Sequence, residues 1–306
     1  MELKLLEYIV TIADEGNITK AADKLFVTQS ALNQQLLKLE KELGLTLFIR
    51  THNKCYLTDV GKIYVDSARN MLSLKKDTYC RMYETENIQK GSLSIGLTPG
   101  RGINMFAYVY PKFHREHTGI SITPYELNVH EQNKLLENGS LDLGFLTLSE
   151  VQKKESLKYT VLCREEIYFA VPKRHPVAKN YKKIKGCLPT IDLSLLKEEP
   201  FVLTDSSSTI RHLTDKCLQS AGFKPEVLFE TLDMKTVCVM VENEMCCGFV
   251  PAYYANIHNK NIRYFSLNEN PSWNNVVANK RNRYISKAAK DFIALATEYW
   301  TESICK

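Results

Sequence analysis

Residues 17–43 constrain this chain more tightly than any other stretch. Asn17 precedes Ile18 to Leu25, where Ala21 and Ala22 stand side by side, and Phe26-Val27 breaks the pattern. After Thr28, leucines 32, 36, 39 and 43 recur at i, i+4, i+7 and i+11. Asn and Thr cap helices because their side-chain oxygens accept from the unpaired amides of the first turn. The spacing predicts a short helix, a tight turn and an N-capped second helix with one apolar stripe. The two alanines leave room for another helix to approach closely. Upstream, Leu3, Leu6, Ile9, Val10 and Ala13 predict a first amphipathic helix that Gly16 stops.

The side of the capped helix away from its leucines carries Gln29, Ser30, Asn33, Gln34 and Lys38 behind Thr28. These side chains are mostly neutral, of medium length, and able both to donate and to accept. They suit the base edges of a DNA major groove, into which such a helix docks N-terminus first. Gly44 to Arg50 and Lys54 to Leu57 read as two short strands with a tip at His52-Asn53, which makes a wing. Its Arg50 and Lys54 are placed for phosphate or minor-groove contact. The same pattern also describes a plain three-helix bundle whose polar face meets solvent.

The run from Asn17 through Ala21-Ala22-Asp23-Lys24-Leu25 and Thr28-Gln29-Ser30-Ala31-Leu32 to Leu47-Phe48-Ile49-Arg50 is long and free of gaps. With Leu57-Thr58-Asp59-Val60-Gly61 behind it, it resembles the N-terminal signature of LysR-type transcriptional regulators. The resemblance implies a winged helix-turn-helix and gives the base-reading role to Gln29, Ser30, Asn33 and Gln34. Asn33 stands where the family usually has Ser, and Gln34 where Arg is frequent. Asn and Gln pair bidentately with adenine most readily, so the altered code predicts A·T-leaning half-sites.

Thr58 is a further N-cap, and Asp59 is well placed at the positive end of a helix dipole. The helix is expected to run to about Glu86, about 42 Å at about 1.5 Å per residue. Ile63, Tyr64, Ser67, Met71, Leu74 and Thr78 form an apolar-to-small stripe along it. The stripe suits either a partner helix or the rest of the same chain. The resemblance implies a homodimer, with Leu3 and Leu6 joining the interface, and dimers that pair into a homotetramer. Double-stranded DNA is the implied partner, and RNA polymerase a further candidate.

At 306 residues the chain is long enough for two or three domains. A hydrophobic content of 44% with 25% charged residues is that of globular domains. No stretch reaches the roughly 18 apolar residues of a membrane helix. Nothing at Met1-Glu2-Leu3-Lys4 reads as a signal peptide, so a cytoplasmic location and no membrane partner are expected. A net charge of +5 permits nucleic-acid binding without pointing to it. The nine cysteines include no CxxC pair, which favours reduced thiols over disulfides or zinc. Histidines at 114, 117, 130, 175, 212 and 258 are scattered without a catalytic or metal motif. No enzyme activity, metal or cofactor is expected.

From Gly91 the texture changes to short β-type runs, such as Leu93 to Leu97 and Ile167 to Val171, alternating with helical stretches. Alternation of this kind predicts α/β layers. The segments Leu135 to Phe145, Pro200 to Thr204 and Gly248 to Pro251 resemble the effector-binding half of the same family. The resemblance implies a two-lobed α/β domain, periplasmic-binding-protein-like, with two crossover strands. The expected divisions are 1–58 for the winged helix-turn-helix, 59–88 for the linker helix and 91–306 for the effector half. Within that half, lobe I takes 91–161 and 266–306, and lobe II takes 162–265.

Ligands of open α/β sheets bind at the carboxyl ends of strands. The candidates are therefore Thr98, Gly100 and Arg101 from one side, Thr147 near the edge, and Thr204, Ser206 and Phe249 across the hinge. The helix start after Thr98 offers backbone amides to an anion, and Arg101 adds charge. A plain strand-to-helix turn explains the same residues. The set points to a small polar or anionic effector. Cys246-Cys247, with Glu244 and Cys246 where glycines are usual in the family, admits an alternative of thiol-redox sensing. Small buried hydrophobes in a strand are the plainer reading.

Overall fold

The structure is a computed structural model. It describes residues 2–51, 54–148, 152–180, 188–206, 208–255 and 259–304. The chain divides into two compact units. The first is Met1–Gly91 with Glu137–Ser140 and Asn282–Ser286, and the second is the remainder.

The first unit opens with α1 (Leu3–Glu15), α2 (Ile18–Lys24) and α3 (Gln29–Leu43). Gly16 ends α1 in the left-handed region, at φ 57°. Asn17 caps α2 by accepting from the Lys20 amide at 3.0 Å. Ile9, Ile12, Ala21, Ala22, Leu32 and Leu36 form the core between the helices. Leu43 departs from the expected stripe and is 42% exposed, because α3 ends there at Gly44.

The hairpin of β1 (Phe48–Arg50) and β2 (Cys55–Leu57) is antiparallel and shorter than the sequence suggests. Glu40 of α3 explains the late start of β1. Its carboxylate accepts from the amides of Leu47 and Phe48, at 2.7 and 3.1 Å. The expected tip at His52-Asn53 lies outside the described residues.

Thr58 then caps α4 (Asp59–Thr85), accepting from the Gly61 amide at 2.9 Å. Gly61 allows the chain to close up here, since a Cβ on it would lie 2.0 Å from the Leu47 carbonyl oxygen. Gly61, Val65 and Ala68 are the buried face of α4. Arg69 pairs with Asp14, and Lys75 with Glu7, which ties α4 to α1. Farther along, Asp77 pairs with Arg283 and Glu84 accepts from Tyr284, so part of α4 does pack on its own chain. The predicted stripe stays largely uncovered: Ile63 is 69% and Leu74 is 68% exposed.

In the second unit β3 (Gly91–Leu97), α5 (Arg101–Glu116), β4 (Ile120–Glu126), α6 (Val129–Glu137) and β5 (Leu143–Leu148) follow in order. Next come β6 (Leu157–Pro172), β7 (Thr190–Ile191), β8 (Pro200–Thr204), α7 (Thr209–Ser220), β9 (Glu226–Thr231) and α8 (Met234–Glu242). β10 (Gly248–Pro251), β11 (Ile262–Leu267), β12 (Ser272–Lys280) and α9 (Lys287–Ile304) complete it. The main sheet has the order β4-β3-β5-β12-β6-β11-β7, with β10 also on β6. Parallel β3 and β5 make one wall, and parallel β8 and β9 another.

The long strand β6 serves both sides. It pairs with β12 from Leu157 to Glu166, then with β10 and β11 from Ile167 onward. Opposite Asn275/Val276 the register shifts and Leu162 is the extra residue of a bulge in β6, shortly before this change of partners. Phe169, Phe201 and Phe249 centre one core on that second stretch.

Candidate DNA-reading surface and effector cleft

On α3, Thr28 accepts from the Ala31 amide at 3.2 Å and fixes the start of the helix. Burying Leu32, Leu36 and Leu39 inward turns the opposite face out. Gln29, Ser30, Gln34 and Lys38 are all exposed along it. Asn33 is half-buried, and its Oδ1 accepts from Arg50 Nη1 at 2.8 Å. Arg50 Nη2 also bonds Glu40 at 3.0 Å.

The wing arginine is thus drawn back onto α3, not held out as a free cation. The carboxylate that caps β1 attracts it. Lys54 remains exposed and makes no ion pair among the described residues. Phe26 sits in the turn between α2 and α3. It is 95% exposed with φ 55°, an aromatic where the backbone favours Gly or Asn.

In the second unit Thr98 follows β3, half-buried, and Gly100 starts α5 with φ 69°. A side chain at Gly100 would meet the Tyr254 hydroxyl at 3.2 Å. Two helix-start amides are already used, Arg101 N–H by the Pro99 carbonyl and Gly102 N–H by that of Thr98. The expected amide cradle for an anion is therefore partly closed.

Arg101 requires the larger correction. It is 5% exposed, and its Nη2 donates to Glu165 Oε2 at 2.6 Å, with Glu165 fully buried. Trp273 Nε1 and Asn275 Nδ2 donate to the same oxygen at 2.7 and 2.9 Å. The Tyr253 amide donates to Oε1 at 2.8 Å. Rings of Trp300, Tyr253 and Trp273 lie 4.7, 5.0 and 5.5 Å from the guanidinium carbon. Nε and Nη1 find no acceptor, so ring faces stand in for hydrogen bonds. The charge of Arg101 is spent inside the protein.

Sequence reasoning missed Glu165. Its signal was parity: in β6 it shares the inward phase of Ile167, Phe169 and Val171, an odd place for a carboxylate.

Of the remaining candidates, Thr204 and Thr147 are buried at strand ends. Thr204 Oγ1 accepts from Ser208 Oγ at 2.9 Å. The Thr147 carbonyl accepts from Thr209 Oγ1 at 3.2 Å, and Gln152 stands 3.1 Å from the same hydroxyl. Ser206 is exposed. These bonds bring Thr147 to the start of α7, where Thr204 also lies. Ser208 and Thr209 belong with them, although the sequence reading passed over both. Phe249 does not join the group. At 3% exposure it stacks edge-on against Phe169 at 5.1 Å, because β10 lies between β6 and β8.

Cys246 and Cys247 are 3% and 1% exposed. Burial pushes the Cys246 thiol up to about 11 and that of Cys247 higher still. Such thiols are protonated near neutrality and are poor nucleophiles. Cys187 and Cys305 lie outside the described residues. Among the described residues no His, Cys, Asp and Glu side chains group as metal ligands, and no helix is long and apolar enough to cross a membrane.

A winged helix-turn-helix ahead of a long helix and an open α/β unit is the plan of a ligand-responsive DNA-binding regulator. A family model described as "Bacterial regulatory helix-turn-helix protein, lysR family" matches residues 3–62. A second, "LysR substrate binding domain", matches residues 87–301. The chain belongs to the LysR family of transcriptional regulators.

It is 29% identical over 309 residues to the uncharacterized HTH-type transcriptional regulator YcgK of Bacillus subtilis, covering 97% of this chain and 94% of that protein. To the DNA-binding transcriptional dual regulator OxyR of Escherichia coli it is 29% identical over 252 residues, 82% of this chain and 79% of the other. Among solved structures, a full-length OxyR variant from Pseudomonas aeruginosa aligns with a TM-score of 0.73 at 21% identity, over 97% and 98% of the two chains. Full-length CbnR in complex with its target DNA aligns with a TM-score of 0.58 at 19% identity, over 97% and 99%.

Proposed function

We propose that this regulator reads two DNA half-sites as a homodimer, through the exposed face of α3, under control of a small polar effector held at the strand ends of the α/β unit. The observation that carries the reading is the α3 face itself. Leu32, Leu36 and Leu39 are buried behind it, its start is capped, and Gln29, Ser30 and Gln34 project as uncharged donors and acceptors. A helix serving only to fill a bundle has no need of such a face. The uncovered stripe of α4 supports the dimer, and pairing of dimers makes a tetramer. Such a regulator acts in the cytoplasm, where its DNA is.

The half-sites lean toward A·T. Arg50 occupies Asn33 Oδ1, so Asn33 offers only its amide N–H, and the bidentate adenine contacts fall to Gln29 and Gln34. Selection of bound sequences from random DNA tests this, with A·T-rich half-sites expected. Gln29→Ala should cost about 1–3 kcal/mol and relax the preference at one position. G·C-rich half-sites, unchanged by that substitution, would overturn the assignment.

For the effector, Thr98, Gly100, Thr147, Thr204 and Ser206 supply hydroxyls and backbone, while Arg101 supports the site from behind. An uncharged polar ligand therefore fits better than an anion that needs a free cation. A differential affinity worth about 1–3 kcal/mol between two arrangements of the α/β unit is enough to regulate. Titration calorimetry with Thr204→Ala, against a panel of small polar metabolites, reads out the site.

A further inference from the structure

A cavity of about 780 Å³ opens on the α/β unit, among α5, α8, α9 and the turn after β10. None of its lining residues belongs to the strand-end cleft. Tyr108, Tyr253, Tyr254 and Tyr299 supply its walls, and Lys235 and Glu302 stand on it from different helices. Its volume falls in the range of roughly 300–1,000 Å³ usual for small-ligand sites.

Three features define what fits. The first is aromatic surface: Tyr108 and Tyr299 lie 5.3 Å apart between centroids, and Tyr253 and Tyr254 meet edge-on at 5.0 Å. Tyrosine faces take up planar apolar groups well. The second is paired but unmatched charge. Lys235 and Glu302 are exposed, and neither makes an ion pair with the other or with any other described residue. Two opposite charges on one cavity that do not pair with each other suit a molecule that carries both. The third is a set of phenol hydroxyls. Tyr253 and Tyr299 hydroxyls bond each other at 2.9 Å, and Asn104 reaches the Tyr253 hydroxyl at 3.3 Å. Burial holds Tyr254 up at about 12, so its hydroxyl stays a neutral donor.

We propose that this cavity binds a small aromatic zwitterion, with its ring among the tyrosines, its carboxylate on Lys235 and its ammonium on Glu302. The site is joined to the strand-end cleft by covalent and hydrogen-bonded neighbours. The Tyr253 amide holds Glu165, its ring lies beside Arg101, and Arg101 begins α5 directly after Gly100. Occupancy is therefore felt at the start of α5. Coupling of this kind changes affinity at a second site by about 5–150-fold.

The test is calorimetry on the full chain without DNA, using phenylalanine, phenethylamine and 3-phenylpropanoate as probes. Phenylalanine should bind at least tenfold more tightly than either singly charged relative. Lys235→Met should weaken phenylalanine and 3-phenylpropanoate but not phenethylamine. Glu302→Gln should weaken phenylalanine and phenethylamine but not 3-phenylpropanoate. Both positions are exposed, so the variants should keep the parent circular dichroism and melting point. Thr204→Ala, in the strand-end cleft, should leave phenylalanine binding at the tyrosine cavity measurable, which separates this site from the effector site. Equal binding of the three probes, no binding of any, or insensitivity to both charge variants would overturn the proposal.

Discussion

Glu165 takes four donors from three separate segments: Arg101 of α5, Tyr253 after β10, and Trp273 and Asn275 of β12. A buried carboxylate is tolerable only when a counter-charge and further hydrogen bonds replace its water. Removing the counter-charge leaves the carboxylate stranded. Arg101→Met should therefore lower unfolding stability by about 3–5 kcal/mol. Adding Glu165→Gln to it should recover part of that loss, since the amide removes the buried charge yet still accepts from Trp273. Urea denaturation of the two single variants and the double tests the point. Strictly additive losses would show that the pair does not act as a unit. The effector reading depends on this too, because a collapsed knot would displace Gly100 as well as weaken the fold.

At the scale of elements, α4 has two faces with different work. Gly61, Val65 and Ala68 pack against its own chain, while Ile63, Met71 and Leu74 are left in water. Val60 and Ile63 also line a groove of about 230 Å³ with Leu6, Leu43 and Leu45. Burying Ile63 and Leu74 against a partner would be worth about 1.5–3 kcal/mol for each side chain. Ile63→Glu with Leu74→Glu should thus shift the protein to monomers in sedimentation without loss of helix. Val65→Glu, on the packed face, should unfold the N-terminal unit instead. If the double variant sediments as the parent does, the stripe is not the interface.

The same helix shows what could be read without a structure. The caps at Asn17, Thr28 and Thr58 were legible because donor and acceptor lie three residues apart in one helix. The leucine stripe of α3 was legible by period, except at Leu43, where the helix stops. The start of β1 was not, because its amides are taken by Glu40 from another element. The strand ends carrying Thr98 and Thr204 were visible, but the commitment of Arg101 was not. Its partner lies 64 residues along the chain, and the rings around it come from three other segments. Local pattern places a residue on an element, but only tertiary packing tells which charges remain free.

For the molecule as a whole, its buried thiols and phenols set the limit on alkaline stability. Burial raises Cys217 and Cys246 from 9.0 to about 11, and Tyr168 and Tyr254 from 10.0 to about 12. Each is neutral when protonated, and the folded state favours that neutral form. The stability they contribute is complete below the unfolded values of 9 to 10 and is lost as pH rises through the folded ones. At about 1.4 kcal/mol for each pH unit, each of these two cysteines contributes about 2–3 kcal/mol that alkali removes. The melting temperature should accordingly be flat from pH 6 to about pH 8.5 and fall steeply above about pH 10. Cys246→Ala should reduce that alkaline slope while lowering stability modestly at neutral pH. Near neutral pH Cys246 is buried and held as the thiol, so a thiol reagent should modify it only as the protein unfolds. Fast, selective labelling of Cys246 or Cys247 in the folded protein would contradict this burial and reopen the redox alternative.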